Sequence, residues 1–221
     1  MQEITVDKIR ANPEVRAYIE KADHFLKNIG YTEHGFRHAE IVSRNSYRIL
    51  NELGFPERSA QLAAIAGLLH DIGNLLGRKD HGVSSALLAK NLLEKVNMPY
   101  DEMIDIMTAI GNHEEESGEV TDKIAAALAI ADKTDVHRSR VRTKEHLAYD
   151  IHDRVNYAVT NSVLKITPKD RYITVELTID TDMSQVMEYF EIFVSRMVMC
   201  RKAAKFLGAD FHLFINGMKL L

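Results

Sequence analysis

Between Asn12 and Tyr157 apolar residues recur at helical spacing. Asn12-Pro13 reads as a cap followed by proline at the first helical position, and that helix runs to about Asn28 before Gly30. A second pattern spans about Phe36 to Leu53, with Ile41, Val42, Ile49, Leu50 and Leu53 in period and Gly54-Phe55-Pro56 as its stop. A third begins near Glu57 and carries Leu62, Ile65, Ala66 and Leu69 on one face. Three more are predicted over Val83 to Val96, Pro99 to Asn112 and Thr121 to about Asp135, the last with Thr121-Asp122 as cap and an Ala-rich run from Ala125 to Ala129 that permits close packing. After Tyr157 the period falls to two. Ile173, Val175, Leu177 and Ile179 alternate with Thr174, Glu176 and Thr178, which predicts a half-buried strand, and Val163 to Thr167 is its expected partner across a turn at Pro168 to Arg171. A lone hairpin is only marginally stable. It is therefore expected to pack on a helix from about Ser184 to Phe206, whose Val186, Phe190, Phe193 and Met197 form one stripe. Phe211, Leu213 and Ile215 suit a third short strand.

This pattern divides the chain into a helical part, residues 1–153, and a small α+β unit, residues 154–221, docked on it. Composition narrows the chemistry. The chain has 221 residues, 46% of them hydrophobic and 27% charged, as in an ordinary globular protein. A single cysteine, Cys200, excludes a disulfide framework and a thiolate metal cluster within one chain. The formal net charge of −4 gives no reason to expect broad nucleic-acid binding. No apolar run approaches the ~18 residues of a membrane span, and no signal-peptide pattern opens the chain, so a cytoplasmic protein is expected.

The ten histidines carry the chemical signal. His38, His70-Asp71, His81, His113 and Asp132 each sit in or beside a different predicted helix, with His70 and Asp71 in the last turn of the third and His81 preceding the fourth. Any one of these histidines alone is more often structural. As an ordered set they can converge in a bundle core, where metal sites are built from facing helices. Imidazole and carboxylate suit a divalent first-row ion or magnesium, and an Asp among Leu68, Leu69 and Ile72 needs a cationic partner.

These residues resemble the HD-domain superfamily of metal-dependent phosphohydrolases. The likeness rests on Leu-Leu-His70-Asp71-Ile-Gly, on His34-Gly35-Phe36-Arg37-His38 and on Ala129 to Asp135, and covers about residues 15 to 142. It implies a mainly α fold, an HD-type helical bundle with the α+β appendage. It also implies that His38, His70, Asp71 and Asp132 bind one metal. His81 and His113 match the extra histidines of branches with a second ion, with Asp71 as bridge. Asn74 stands where the HD-GYP branch has a lysine and no Gly-Tyr-Pro follows, so cyclic-dinucleotide hydrolysis is not implied.

The expected activity is hydrolysis of a phosphoester of a small molecule or nucleotide by metal-activated water, with two divalent ions drawn from Mn, Mg, Fe, Co, Ni or Zn. Asp71, Lys133 and His34 are the expected catalytic residues. His34 lies one helical turn before His38, as proton donor or as partner to a ligand. Charge developing on the phosphoryl group calls for cations. Arg37, Arg78, Lys133, Arg138 and Arg142 are the candidates for substrate binding, each with a solvated surface position as its bland alternative. Glu114-Glu115-Glu116 reads as a solvated loop in which Glu114 is placed to orient a ligand imidazole. The remaining histidines, His24, His137, His146, His152 and His212, read as structural or exposed. Two rival readings share the same residues: a di-iron HD-type oxygenase, and a metal-containing ligand sensor without catalysis. Met187, Met197 and Met199 would suit a homodimer face on the C-terminal unit, with cover for its own hairpin as the plainer alternative.

Overall fold

A computed structural model describes residues 3–116, 118–148 and 150–221; the His146 side chain is not among the described groups. A short helix α1 (Val6–Arg10) leads into α2 (Pro13–Asn28), where the Asn12 side chain accepts from the Glu14 amide at 2.9 Å. Then follow α3 (Phe36–Glu52), α4 (Glu57–Leu69), a 3-10 turn (Ile72–Leu76), α5 (His81–Lys95), α6 (Tyr100–Gly111) and α7 (Lys123–Lys133). Asp122 caps α7 by accepting from the amides of Ile124 and Ala125. Two 3-10 segments (Arg138–Arg140 and Lys144–Ala148) lead to α8 (Ile151–Ala158), which runs across the point where the sequence pattern divides the chain. The strands are β1 (Val159–Thr167), β2 (Tyr172–Ile179), β3 (Asp210–Ile215) and β4 (Met218–Lys219), and α9 (Val186–Phe206) connects β2 to β3.

The sheet order is β1-β2-β3-β4. β1 pairs with β2 antiparallel, with Leu164 opposite Val175 and Ile166 opposite Ile173. β3 pairs with β2 in parallel, with Phe211, Leu213 and Ile215 opposite Ile173, Val175 and Leu177. A parallel pair needs a crossover of a dozen or more residues, and α9 supplies it. In β2 and β3 the buried apolar residues Ile173, Val175, Leu177, Phe211, Leu213 and Ile215 share one face, as a period of two requires, while Thr174 is buried on the other. α9 packs against β3 and α7. The core therefore runs unbroken from Ile4 to Ile215. The alanines of α7 from Ala125 to Ala131 are almost completely buried, and their small side chains let neighbouring elements approach the helix closely.

Two glycines set close approaches. A Cβ on Gly67 would lie 2.8 Å from Ser43 Cα, so its absence lets α4 touch α3. A Cβ on Gly73 would lie 2.3 Å from the Ser85 amide nitrogen and 2.5 Å from the His81 carbonyl oxygen, so the turn after His70-Asp71 rests on the first turn of α5. No helix among the described residues is long and apolar enough to cross a membrane.

Candidate metal centre

The helices deliver their polar residues to one buried place. His38 comes from the first turn of α3, His70 caps the end of α4, Asp71 follows it, His81 opens α5, His113 lies just past α6 and Asp132 ends α7. His70 and Asp71 thus lie beyond α4 rather than in its last turn, and His81 belongs to α5. All four histidines are at most 2% exposed, which makes their hydrogen bonds decisive.

Each ring is anchored at Nδ1 by an oxygen that can only accept. His38 Nδ1 lies 2.7 Å from Asp135 Oδ2. His70 Nδ1 lies 2.8 Å from the Gly67 carbonyl, and His113 Nδ1 lies 2.6 Å from that of Ile110. His81 Nδ1 lies 3.1 Å from the Arg78 carbonyl and 3.0 Å from Glu114 Oε1. Each Nδ1 therefore carries the proton, and a neutral ring turns the Nε2 lone pair inward. The Nε2 atoms of His38 and His70 are 3.2 Å apart, as are those of His81 and His113.

Carboxylate oxygens meet the same lone pairs. Asp71 Oδ2 is 3.4 Å from His70 Nε2 and 3.6 Å from His38 Nε2. Asp71 Oδ1 is 3.1 Å from His81 Nε2 and 4.0 Å from His113 Nε2. Asp132 Oδ1 lies 3.3 Å from His38 Nε2 and 3.6 Å from His70 Nε2. Lone pairs face lone pairs, an arrangement that only a cation between them relieves. Among the described residues the donors form three overlapping groups, His38 with His70 and Asp71, His70 with His113 and Asp132, and Asp71 with His81 and His113, and Asp132 Oδ1 also lies near His38 Nε2.

Without a metal a proton takes this role. Burial opposes charge on His70, but Asp71 and Asp132 outweigh it and hold its pKa up at about 10. Burial likewise opposes the charge on both aspartates. His70 and His81 hold Asp71 well below the usual carboxylate range, and Lys133, His38 and His70 hold Asp132 there. Burial, together with the positive His70 and Lys133, pushes His113 down.

A cavity of about 560 Å³ opens beside the cluster. Asp71, His81, His113 and Asp132 line it, while His38 and His70 do not. Its other walls mix the cations Arg78, Lys79, Lys133, Arg140 and Arg196 with the carboxylates Asp80, Glu114, Glu115 and Glu116, and His34 also faces it. Arg78 donates from Nη1 to Asn74 Oδ1 and to His81 Nε2, both at 3.1 Å. Lys133 donates to Asp132 Oδ2 at 2.6 Å and reaches Glu115 Oε2 at 2.8 Å. Glu115 also accepts from Arg196 Nε at 2.9 Å. These cations overcome its burial and hold it at about 2, so Glu115 ties α9 to α7 rather than lying in solvent as the sequence suggests. His34 gives its Nδ1 proton to the Thr32 carbonyl at 2.8 Å. Burial and nearby Arg140 hold its pKa well below the usual imidazole value, which favours the neutral ring with Nε2 as an acceptor.

Three of the expected substrate arginines lie elsewhere. Arg37 is occupied by Glu33 and by both oxygens of Asp135, at 3.2 and 2.7 Å. Arg138 lies over the Tyr157 ring, 5.2 Å from its centroid. Arg142 binds Asp23 and the carbonyls of Tyr31 and Thr32. Arg140 and Arg196 take their place in the cavity wall, and sequence spacing gives no sign of either. Asp135, which orients His38, sits three residues after Asp132 inside the segment that carries the family likeness.

Residues 35–136 match the HD domain family. The chain is 28% identical over 169 residues to the uncharacterised protein MJ1020 of Methanocaldococcus jannaschii, in an alignment that covers 66% of this chain and 65% of that protein. The chain thus spans just under two thirds of that relative's length. A solved structure, that of a predicted HD superfamily hydrolase from an uncultured Thermotogales bacterium, shares 25% identity over 59% of this chain and 73% of its own, with a TM-score of 0.45.

Proposed function

We propose, on the premise that residues 35–136 of this chain are an HD domain, that the protein is a metal-dependent phosphohydrolase acting on a phosphoester of a small molecule or nucleotide. The supporting observation is the inward-facing set of Nε2 and carboxylate lone pairs around Asp71, open on one side to a cavity whose walls bring Arg78, Arg140 and Arg196 beside that set. Nitrogen and oxygen donors without thiolate fit Mn, Mg, Fe, Co, Ni or Zn. His38, His70, Asp132 and Asp71 would hold one ion, and His81, His113 and Asp71 a second. Ions held there lower the pKa of water and polarise a phosphoryl oxygen.

The chain's own side chains supply the rest. Arg140 and Arg78 offer fork-shaped donors to phosphoryl oxygens. Arg78 and an ion compete for His81 Nε2, so Arg78 answers to the occupancy of that donor set. Lys133, already paired with Asp132 and Glu115, adds positive field rather than a free donor. His34 presents Nε2 as an acceptor for a proton or a hydroxyl of the substrate. Glu114 fixes the tautomer of His81.

The test is hydrolysis of a phosphoester panel with each of the six metals. Asp71→Ala is expected to lower kcat by at least about a hundredfold; full activity in that variant would end the proposal. Redox-active iron with no phosphatase activity would favour the di-iron oxygenase reading instead.

A further inference from the structure

A second cavity, of about 460 Å³, lies between α3 and β1. Its helical wall is a single stripe of α3: Arg37, Ile41, Arg44, Asn45 and Arg48 recur at the spacing of one helix face. Asn45 is nine-tenths buried in the middle of that helix. Its carboxamide has no hydrogen-bond partner among the described residues, yet it is not one of the sealed, unsatisfied buried groups. It therefore opens into the cavity, and a buried amide without a protein partner is a place for a ligand or solvent.

The surrounding charge selects the ligand. Arg44 has neither ion pair nor hydrogen bond among the described residues. Arg48 gives Nε to Glu52 at 2.8 Å and reaches the Leu164 carbonyl from Nη1 at 3.4 Å, and its remaining guanidinium donors are uncommitted among the described residues. The opposite wall carries Ser139 and Ser162, whose hydroxyls are held by His137 Nδ1 at 2.8 Å and the Thr134 carbonyl at 3.1 Å. Asp135 is the one carboxylate among the described lining residues, and the Arg37 fork already holds both its oxygens. We propose that this cavity binds the di- or triphosphate group of a small molecule, through Arg44, Asn45 and Arg48, at a site separate from the metal centre. The volume lies within the ~300–1,000 Å³ of ordinary small-molecule pockets.

The site is also wired to the metal centre. Arg37 lines the cavity, grips Asp135, and Asp135 accepts the Nδ1 proton of His38. An anion drawing on Arg37 alters the grip on His38, and by linkage metal uptake alters anion affinity by the same factor.

The experiment is calorimetric titration of chelator-treated protein with inorganic triphosphate at physiological ionic strength. Metal removal leaves Asp71 and Asp132 facing the larger cavity, which disfavours the anion there. One triphosphate per chain is expected. Affinity should fall at least tenfold in Arg44→Glu, an exposed position whose change leaves the unfolding temperature near that of the parent, and in Arg48→Ala. It should be unaltered in Arg78→Ala. Absence of saturable binding overturns the proposal. So does binding that survives Arg44→Glu and Arg48→Ala, binding that falls equally in Arg78→Ala, or affinity matched by a single-stranded oligonucleotide of equal charge.

Discussion

The bond at Nδ1 of each clustered histidine decides what the opposite nitrogen can do. Three rings are held by main-chain carbonyls alone or with a side chain, but His38 depends on the carboxylate of Asp135. Burial opposes charge on Asp135, yet the His38 hydrogen bond and Arg140 hold it well below the usual carboxylate range. It is an anion backed by Arg37 and reached by Arg140. Asp135→Asn replaces one acceptor with a donor, so the amide cannot serve the Arg37 fork and His38 together. The expected result is a loss of at least about tenfold in metal affinity with the fold retained, measured by competition against a chelator. The convergence of the His and Asp cluster is legible in the sequence because the residues form an ordered set across successive helices, not because any one of them is distinctive alone. Arg140 and Arg196 are not legible, since an arginine on a polar stretch gives no sign of which cavity it will face. Arg37 shows the reverse case, where adjacency to a ligand suggested substrate binding but folding turned its fork to Asp135.

Among the elements, the turn after Asp71 is the joint on which the second donor set depends. Gly73→Ala would force a Cβ into the first turn of α5. Expected are a loss of about 1–3 kcal/mol in thermal unfolding and reduced metal stoichiometry, because His81 moves with that turn. At the start of α9, Glu188 accepts from Arg154, from the Ser184 hydroxyl at 2.7 Å and from the Gln185 amide at 3.2 Å. Arg154 and Ser184 hold its pKa down at about 2. A depressed carboxylate stabilises the fold above its ordinary value of 4.5 and loses that effect as pH falls toward 2. Glu188→Ala should therefore cost about 1 kcal/mol at neutral pH, and the gap from the parent should close through that acid window in denaturant titrations. Helices α2 to α7 follow their hydrophobic period and caps to within a few residues, and β2 follows its alternation. The short α1 and α8 escape such reading, because helices of that length are held by packing more than by propensity. The parallel pairing of β3 is likewise set by where α9 returns the chain, which local pattern does not encode.

At the scale of the whole molecule, the donors lie on separate elements that the common core holds in place. An ion that binds only the folded chain stabilises it by mass action, about 2.7 kcal/mol at a hundredfold excess over Kd. Manganese should thus raise the unfolding temperature of chelator-treated protein, and Asp71→Ala should abolish the rise; calorimetric scans check both. The spacing of His38, His70, His81, His113 and Asp132 along the chain has a further consequence. In a nascent polypeptide the donor set of His38, His70, Asp71 and Asp132 is incomplete until α7 has been made and docked. An ion taken up by that complete set would bind after folding, and its identity would be set by the divalent cations the compartment supplies.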